Sequence, residues 1–411
     1  MHPRKMFLRL GILGALALTL PALSGTGDWP QFRGPDRNGE AQAIDINNWA
    51  EDGPQVLWRR EIGNGFSSIT IADGKLFTMF ADQNGEKRSE YVACLTQESG
   101  EVIWKTAIDD EFLDEFGNGP RSTPTYDSGK IYALSSGGRM YCLDASTGKA
   151  VWNINFTDTF NTQVPRWGFS TSPLIEGDLV IIETGALEKE AFAALDKKTG
   201  EVRWKVADGQ PGMTGYNSPV AATIDGQRHI IFAVGDNLTG VDLDGNQLWT
   251  HKWAERIMTI AMPLFLPPNK VFVSATGRGG GVMVEITNQD PPVKELWKTR
   301  LIKNHFSSSV LFGDHLYGFD NATMKCVAVE DGKQLWAKRG FGKGSLILSG
   351  DKLLILGDKG ELALAKATPE GYQEIASHPC LDGKSWTAPV LAGGIVYLRN
   401  HSQIAAYRLS N

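Results

Sequence analysis

A tryptophan that closes a short recurring phrase constrains this chain more than any other feature. It stands at Trp104, Trp152, Trp204, Trp249, Trp297 and Trp336, at intervals of 39–52 residues. The fullest copies run from Ala93 to Trp104, from Tyr141 to Trp152 and from Ala193 to Trp204, with shorter ones at Val241–Trp249 and Val329–Trp336. In the full copies an apolar run is followed by a polar turn with Ser-Gly or Thr-Gly, and a second run leads to the Trp; the short copies turn on Asp-Gly. An Asp side chain bonds backbone two residues on, and Gly accepts a left-handed conformation, so the phrase reads as a hairpin.

The other half of each unit recurs as well. Ser122-Thr123-Pro124, Ser172-Pro173, Ser218-Pro219 and Thr387-Ala388-Pro389 open it, and a turn with an apolar run follows, as in Ser128–Tyr132 and Gly393–Tyr397. Each unit therefore holds about four short strands, and no segment keeps a helical period. One four-stranded sheet has two apolar faces and cannot bury both alone. Stacking such sheets in a ring buries them, and closing the ring leaves only short edges. A large ring with one N–H, placed once per unit, fills the wedge between neighbours.

Units begin near Phe66, Arg121, Phe169, Asn217, Thr259, Phe306 and Gly344, and an eighth, from Trp386, is one strand short. Val56–Ile62, with its own Trp58, is the spare strand that would complete it. The expectation is an all-β chain, an eight-bladed β-propeller with four-stranded antiparallel blades, over residues 28–411. Seven blades is the alternative, because the unit at 344–380 has Glu374-Ile375 where a Trp would stand.

The N-terminus reads as a secretory signal. Arg4, Lys5 and Arg9 precede an apolar run from Leu10 to Leu20, and Pro21-Ala22-Leu23-Ser24 offers small residues for cleavage after Ser24. The run is short for a bilayer span, and no other stretch is long enough to make one. No Cys follows the run to take a lipid. Removing residues 1–24 leaves 38 basic and 47 acidic residues, a net charge of −9. An acidic chain is unsuited to nucleic acid and to an anionic membrane surface. A periplasmic or secreted location follows.

The phrase resembles the tryptophan-docking motif of propellers of the pyrroloquinoline-quinone (PQQ) type, Ala-x-Asp-x-x-Thr-Gly-x-x-x-Trp. Ala194–Trp204 matches it in full, and the stretch ending at Trp152 matches but for Cys142 in the Ala place. Trp29-Pro-Gln-Phe-Arg-Gly-Pro35 is similar to the opening of many secreted bacterial members. The resemblance implies docking roles for Trp58, Trp104, Trp152, Trp204, Trp249, Trp297 and Trp336. It implies one of two activities. Quinoprotein dehydrogenases hold PQQ and Ca²⁺ in the central funnel, often against a disulfide between adjacent cysteines. Relatives of BamB type are non-catalytic parts of an envelope assembly machinery.

The residues favour the second. Cys94, Cys142, Cys326 and Cys380 are never adjacent, and the first two occupy the same motif position, which reads as packing. The seven His residues lack metal-ligand spacing. Gly277–Gly281 leads into no helix and reads as a turn. Glu183 and Asp236 lie near inner strands and read as turn or surface acids. No cofactor is expected. Loops entering the innermost strands carry Arg121, Arg166, Trp167, Tyr216, Asn217, His305 and Trp386, a set suited to a partner protein of the envelope or to a small polar or sugar ligand. Phe66, Phe169, Phe306 and Trp386 stand at equivalent places and either plug the channel or serve such a site. Trp29, Phe32 and Arg33 read as a clamp over the outside or floor of the ring, or else as a docking peptide.

Overall fold

The computed structural model describes residues 27–46, 49, 52–210 and 212–409. The segment read as a signal, 1–24, lies outside them. The chain folds into eight antiparallel sheets of the propeller type. Blade 1 is built from Thr70–Ala72, Lys75–Asn84, Lys87–Thr96 and Val102–Asp110, ordered from the axis outward. The next five blades repeat that order, and blade 7 runs from Ser345–Ser349 to Gln373–Pro379. Blade 8 takes three strands from the C-terminus and its outer strand, Gln55–Glu61, from the N-terminus, with Trp58 opposite Ala406. The one α-helical turn among the described residues, Phe156–Thr159, is capped by Asn155, whose side chain accepts from the Thr157 N–H.

Each outer strand carries a β-bulge just before the docking position. A bulge adds one residue and re-aims the side chain that follows. Here it turns the Trp ring across the cleft to the next blade. Trp104 Nε1 donates to Ala145 O (3.2 Å), Trp152 to Lys197 O (3.0 Å), Trp204 to Leu243 O (2.8 Å), Trp297 to Val329 O (2.7 Å) and Trp336 to Thr368 O (2.8 Å). Trp58 donates to Gln97 O (2.9 Å) and so ties blade 8 to blade 1. Trp249 differs, because its N–H goes to Nδ1 of His229 in its own blade (3.0 Å).

In blade 7 the register puts Ala376 opposite Leu364, so the docking place holds Ala376, with Ile375 as the bulge residue. The blade is complete without its Trp, and this decides between seven blades and eight. Arg59, Tyr407 and the Cys380 carbonyl hydrogen-bond to one another at that cleft instead. Cys94, Cys142 and Cys326 sit directly opposite Trp104, Trp152 and Trp336, buried and unbridged. All three are one motif position, the shorter turn after Cys326 notwithstanding.

Nearer the axis a second device joins the blades. Ser68 N–H donates to Thr123 Oγ1, Thr123 N–H to Ser172 Oγ, and Ser172 N–H to Ser218 Oγ, at 2.9–3.0 Å. Met262 N–H donates to Ser308 Oγ in the same way (2.9 Å). In blades 2, 3, 4 and 6 a Ser or Thr of the opening stretch therefore accepts from the blade before it. Ser172→Ala leaves the buried Thr123 N–H without a partner. It is expected to cost about 1–3 kcal/mol, read as a lower urea midpoint; an unchanged midpoint refutes the role.

The innermost strands have a free edge toward the axis, and the N-terminal segment covers part of it. Trp29 exchanges two backbone bonds with Ile71, Pro30 O accepts from Tyr126 N–H, and Glu40–Ala41 pairs in parallel with Leu348–Ser349. Arg37 donates to the carbonyls of Ser172 (3.0 Å) and Pro173 (2.8 Å). Arg33 donates to those of Ser308 (3.3 Å) and Ser309 (2.8 Å). The segment thus crosses the channel and holds blades 1, 2, 3, 6 and 7 from within.

Candidate functional site

An extended chain points alternate residues the same way. As each blade's entry loop becomes its inner strand, every second residue therefore faces the axis. Phe66 and Ser68, Tyr216 and Ser218, Met258 and Ile260, Phe306 and Ser308, Lys343 and Ser345, and Trp386 and Ala388 all line one cavity of about 280 Å³. Phe32 and Arg33 of the N-terminal segment close it from below. The result is a cup on the face where chain passes from each blade to the next.

Of the residues expected there, Arg121, Trp167, Tyr216, His305 and Trp386 line the cup. Arg166 stands outside it, ion-paired with Glu115 (3.3 Å) and stacked over Trp167 (5.1 Å). Asn217 is buried and turned the other way. It donates to Ala261 O (3.0 Å) and accepts from Ala233 N–H (3.1 Å), tying blade 4 to blade 5. Phe169 is also out of phase and packs between blades against Phe156 (5.6 Å). The other three aromatics do gather: Trp386 lies 5.7 Å from Phe66 and 5.2 Å from Phe306. They form one wall of the cavity.

Several cup residues escaped the sequence reading. Asp114 and Phe116 come from the long connection after blade 1. Lys343 directly precedes an inner strand, as Phe66 does, and its position in the repeat was the available signal. Phe32 and Arg33, read from the sequence as part of the clamp, also reach the cup, although the segment that carries them lies outside the repeat.

The polar groups are unevenly matched. Arg121 is held by Asp114 (3.1 Å) and by the carbonyls of Gly117 and Gly119. Burial brings the His305 imidazole down to about 4, with Lys343 adding to the effect, so the ring is neutral at pH 7. Its Nδ1, together with Trp167 Nε1, Ser307 Oγ and Arg33 Nε, is buried without a partner.

Glu183 is no surface acid. It is buried and accepts from the Asn217 N–H (2.6 Å), and desolvation raises its carboxyl from 4.5 to about 8 despite its backbone donors. The unfolded chain releases that proton near 4.5 and the folded chain holds it to about 8. Stability from this group is therefore complete below pH 4.5 and is lost as pH rises to about 8. Glu183→Gln should flatten that decline in a melting-temperature series, and an unaltered slope would exclude Glu183 as its source. Asp236 accepts from the Arg256 N–H in a surface turn.

A quinone held by Ca²⁺ needs several hard oxygen ligands. Asp114 is the one carboxylate among the described residues lining the cup, and it is engaged with Arg121. Among the described residues no three His, Cys, Asp or Glu side chains cluster as metal ligands. The residues present do not fit that group.

Fold and cup together define a tryptophan-docked, eight-bladed propeller with an axial cavity closed at one end. The family model described as "Outer membrane protein assembly factor BamB" matches residues 88–338, and the chain belongs to that family. It is 22% identical over 299 residues to the outer membrane protein assembly factor BamB of Shewanella oneidensis, across 64% of this chain and 68% of that one. It is 31% identical over 157 residues to the quinoprotein ethanol dehydrogenase of Pseudomonas aeruginosa, across 35% of this chain but only 25% of the enzyme. BamB from Moraxella catarrhalis superimposes with a TM-score of 0.60 at 14% identity, over 86% of this chain and 98% of that structure, a likeness of fold.

Proposed function

We propose that this protein is a non-catalytic binding propeller of the bacterial cell envelope that holds a partner protein at the mouth of the cup. The observation behind this reading is the apolar rim. Phe116 (44% exposed) lines the mouth, and Leu113 (69% exposed), Val164 and Leu187 are solvent-exposed on connections of the same face. Exposed apolar groups gathered on one face mark an interaction site. Family membership supports a partner in the envelope, and the signal-like N-terminus supports export. No helix among the described residues is long and apolar enough to cross a membrane.

Two measurements test it. A photo-crosslinking side chain at position 116 in cells should trap a discrete envelope protein, and one at Lys270, at the end of the ring where inner strands turn outward, should not. Equal labelling from both positions removes the rim's role. Titration with PQQ and Ca²⁺, followed by dye-linked alcohol oxidation, should give neither uptake nor turnover. Stoichiometric uptake with turnover makes the protein an enzyme and overturns the reading.

A further inference from the structure

The charges inside the cup do not balance. Arg33, Arg121 and Lys343 line it against one acid, Asp114. Asp114 neutralises Arg121, and the other two cations remain. Arg33 is 4% exposed, and its guanidinium meets only carbonyls, those of Asn38, Ser308 and Ser309. The Lys343 ammonium has no ion pair among the described residues, the Asp358 carboxylate accepting from its backbone N–H instead (3.1 Å), and it stands 5.8 Å from the Trp386 ring. A buried charge without a counter-charge is costly, and an incoming anion relieves that cost.

Behind the lining, the fully buried atoms without partners are of one kind: Arg33 Nε and Trp167 Nε1 are donors only, Ser307 Oγ can donate, and His305 Nδ1 can donate in one tautomer. The remaining wall, with Phe66, Phe306, Trp386, Met258 and Ile260, is aromatic or aliphatic. At about 280 Å³ the cavity is at the small end of ligand pockets and suits one ring-sized group.

We propose that the cup binds an apolar carboxylate, an aromatic or branched apolar body bearing one carboxylate beside Lys343. The C-terminal residue of a partner protein and a free aromatic acid share that chemistry. The inference rests on the reading of the mouth as a binding site and names what enters it.

Calorimetry on the full chain tests it with 3-phenylpropionate, its amide, and a Gly-Gly-Gly-Ala-Phe peptide with free or amidated C-terminus. Both free acids should bind, their amides about tenfold or more weakly, and Lys343→Gln should weaken the acids about tenfold, as loss of a charge-assisted bond does. An unchanged melting temperature for Lys343→Gln shows that the fold survives. Binding of the peptide acid identifies a protein C-terminus as the source, and binding of 3-phenylpropionate alone identifies a small molecule. Either result supports the chemistry. Equal affinity for acid and amide, or no binding at about 10 mM, overturns it. Crosslinking from position 116 separates the two failures. If it persists while no acid binds, only this inference falls; if it is lost while acids bind, the partner reading falls and this one stands.

Discussion

Trp152→Ala is expected to destabilise the protein by about 3–5 kcal/mol, the range for removing a large aromatic from a packed interior. The ring fills the cleft between blades 2 and 3, its N–H meets Lys197 O, and its face lies on Gly200 of the Thr-Gly turn. Gly200 has φ +78°, and a Cβ added there would come within 2.7 Å of Trp152 Cε3. Gly200→Ala therefore attacks the same contact from the other side and adds backbone strain of about 1–3 kcal/mol. Because both changes spoil one contact, the double variant should lose less than the two single losses combined. Urea denaturation reads all three. A loss under about 1 kcal/mol for Trp152→Ala would mean that the wedge is not structural. Trp249 offers a comparison, since its N–H serves its own blade.

Arg399→Met should also be damaging, at about 3 kcal/mol or more, because it strips several buried acceptors of their donor at about 1–3 kcal/mol each. Arg399 is fully buried, with no acid beside it. Its guanidinium donates to Ser67 O (2.9 Å), Thr78 Oγ1 (2.7 Å), Met79 O (2.6 Å) and Gly63 O (3.4 Å), joining blade 8 to blade 1. Desolvation lowers its pKa to about 9, which leaves it charged at pH 7. Methionine fills the space but gives those acceptors no donor, and buried acceptors without partners cost more than the net gain of the bonds lost. Arg399→Lys keeps the charge and loses the planar fork, so it should recover little. Melting temperatures of the three proteins decide the matter, and full recovery by Lys would show that charge alone is required.

The ring was legible because the tryptophan phrase is local. Ala194–Trp204 holds a strand end, a turn, a bulge and a wedge within eleven residues, and each has a residue type that demands it. Blade 7 was harder, because Ala376 occupies its docking place and register, not residue type, identifies it. The cup was half legible. The entry loops could be found, but which of two neighbours faces the axis depends on strand phase, and the phase was misread at Asn217 and at Phe169. The floor was legible only as a clamp formed by Trp29, Phe32 and Arg33; which blades it grips was not, because Arg33 meets residues 275 and 276 positions away in the chain. No periodic pattern reports such a contact.

The N-terminal segment and the ring are separable by topology. Blade 8 is completed by Gln55–Glu61, so all eight blades close without anything that precedes residue 55. The tail adds Phe32 and Arg33 to the lining of the cavity. Cleavage between residues 46 and 55, followed by loss of the tail, would take Phe32 and Arg33 out of the cavity and open it on that side. Whatever the cup retains by having a floor would then pass through.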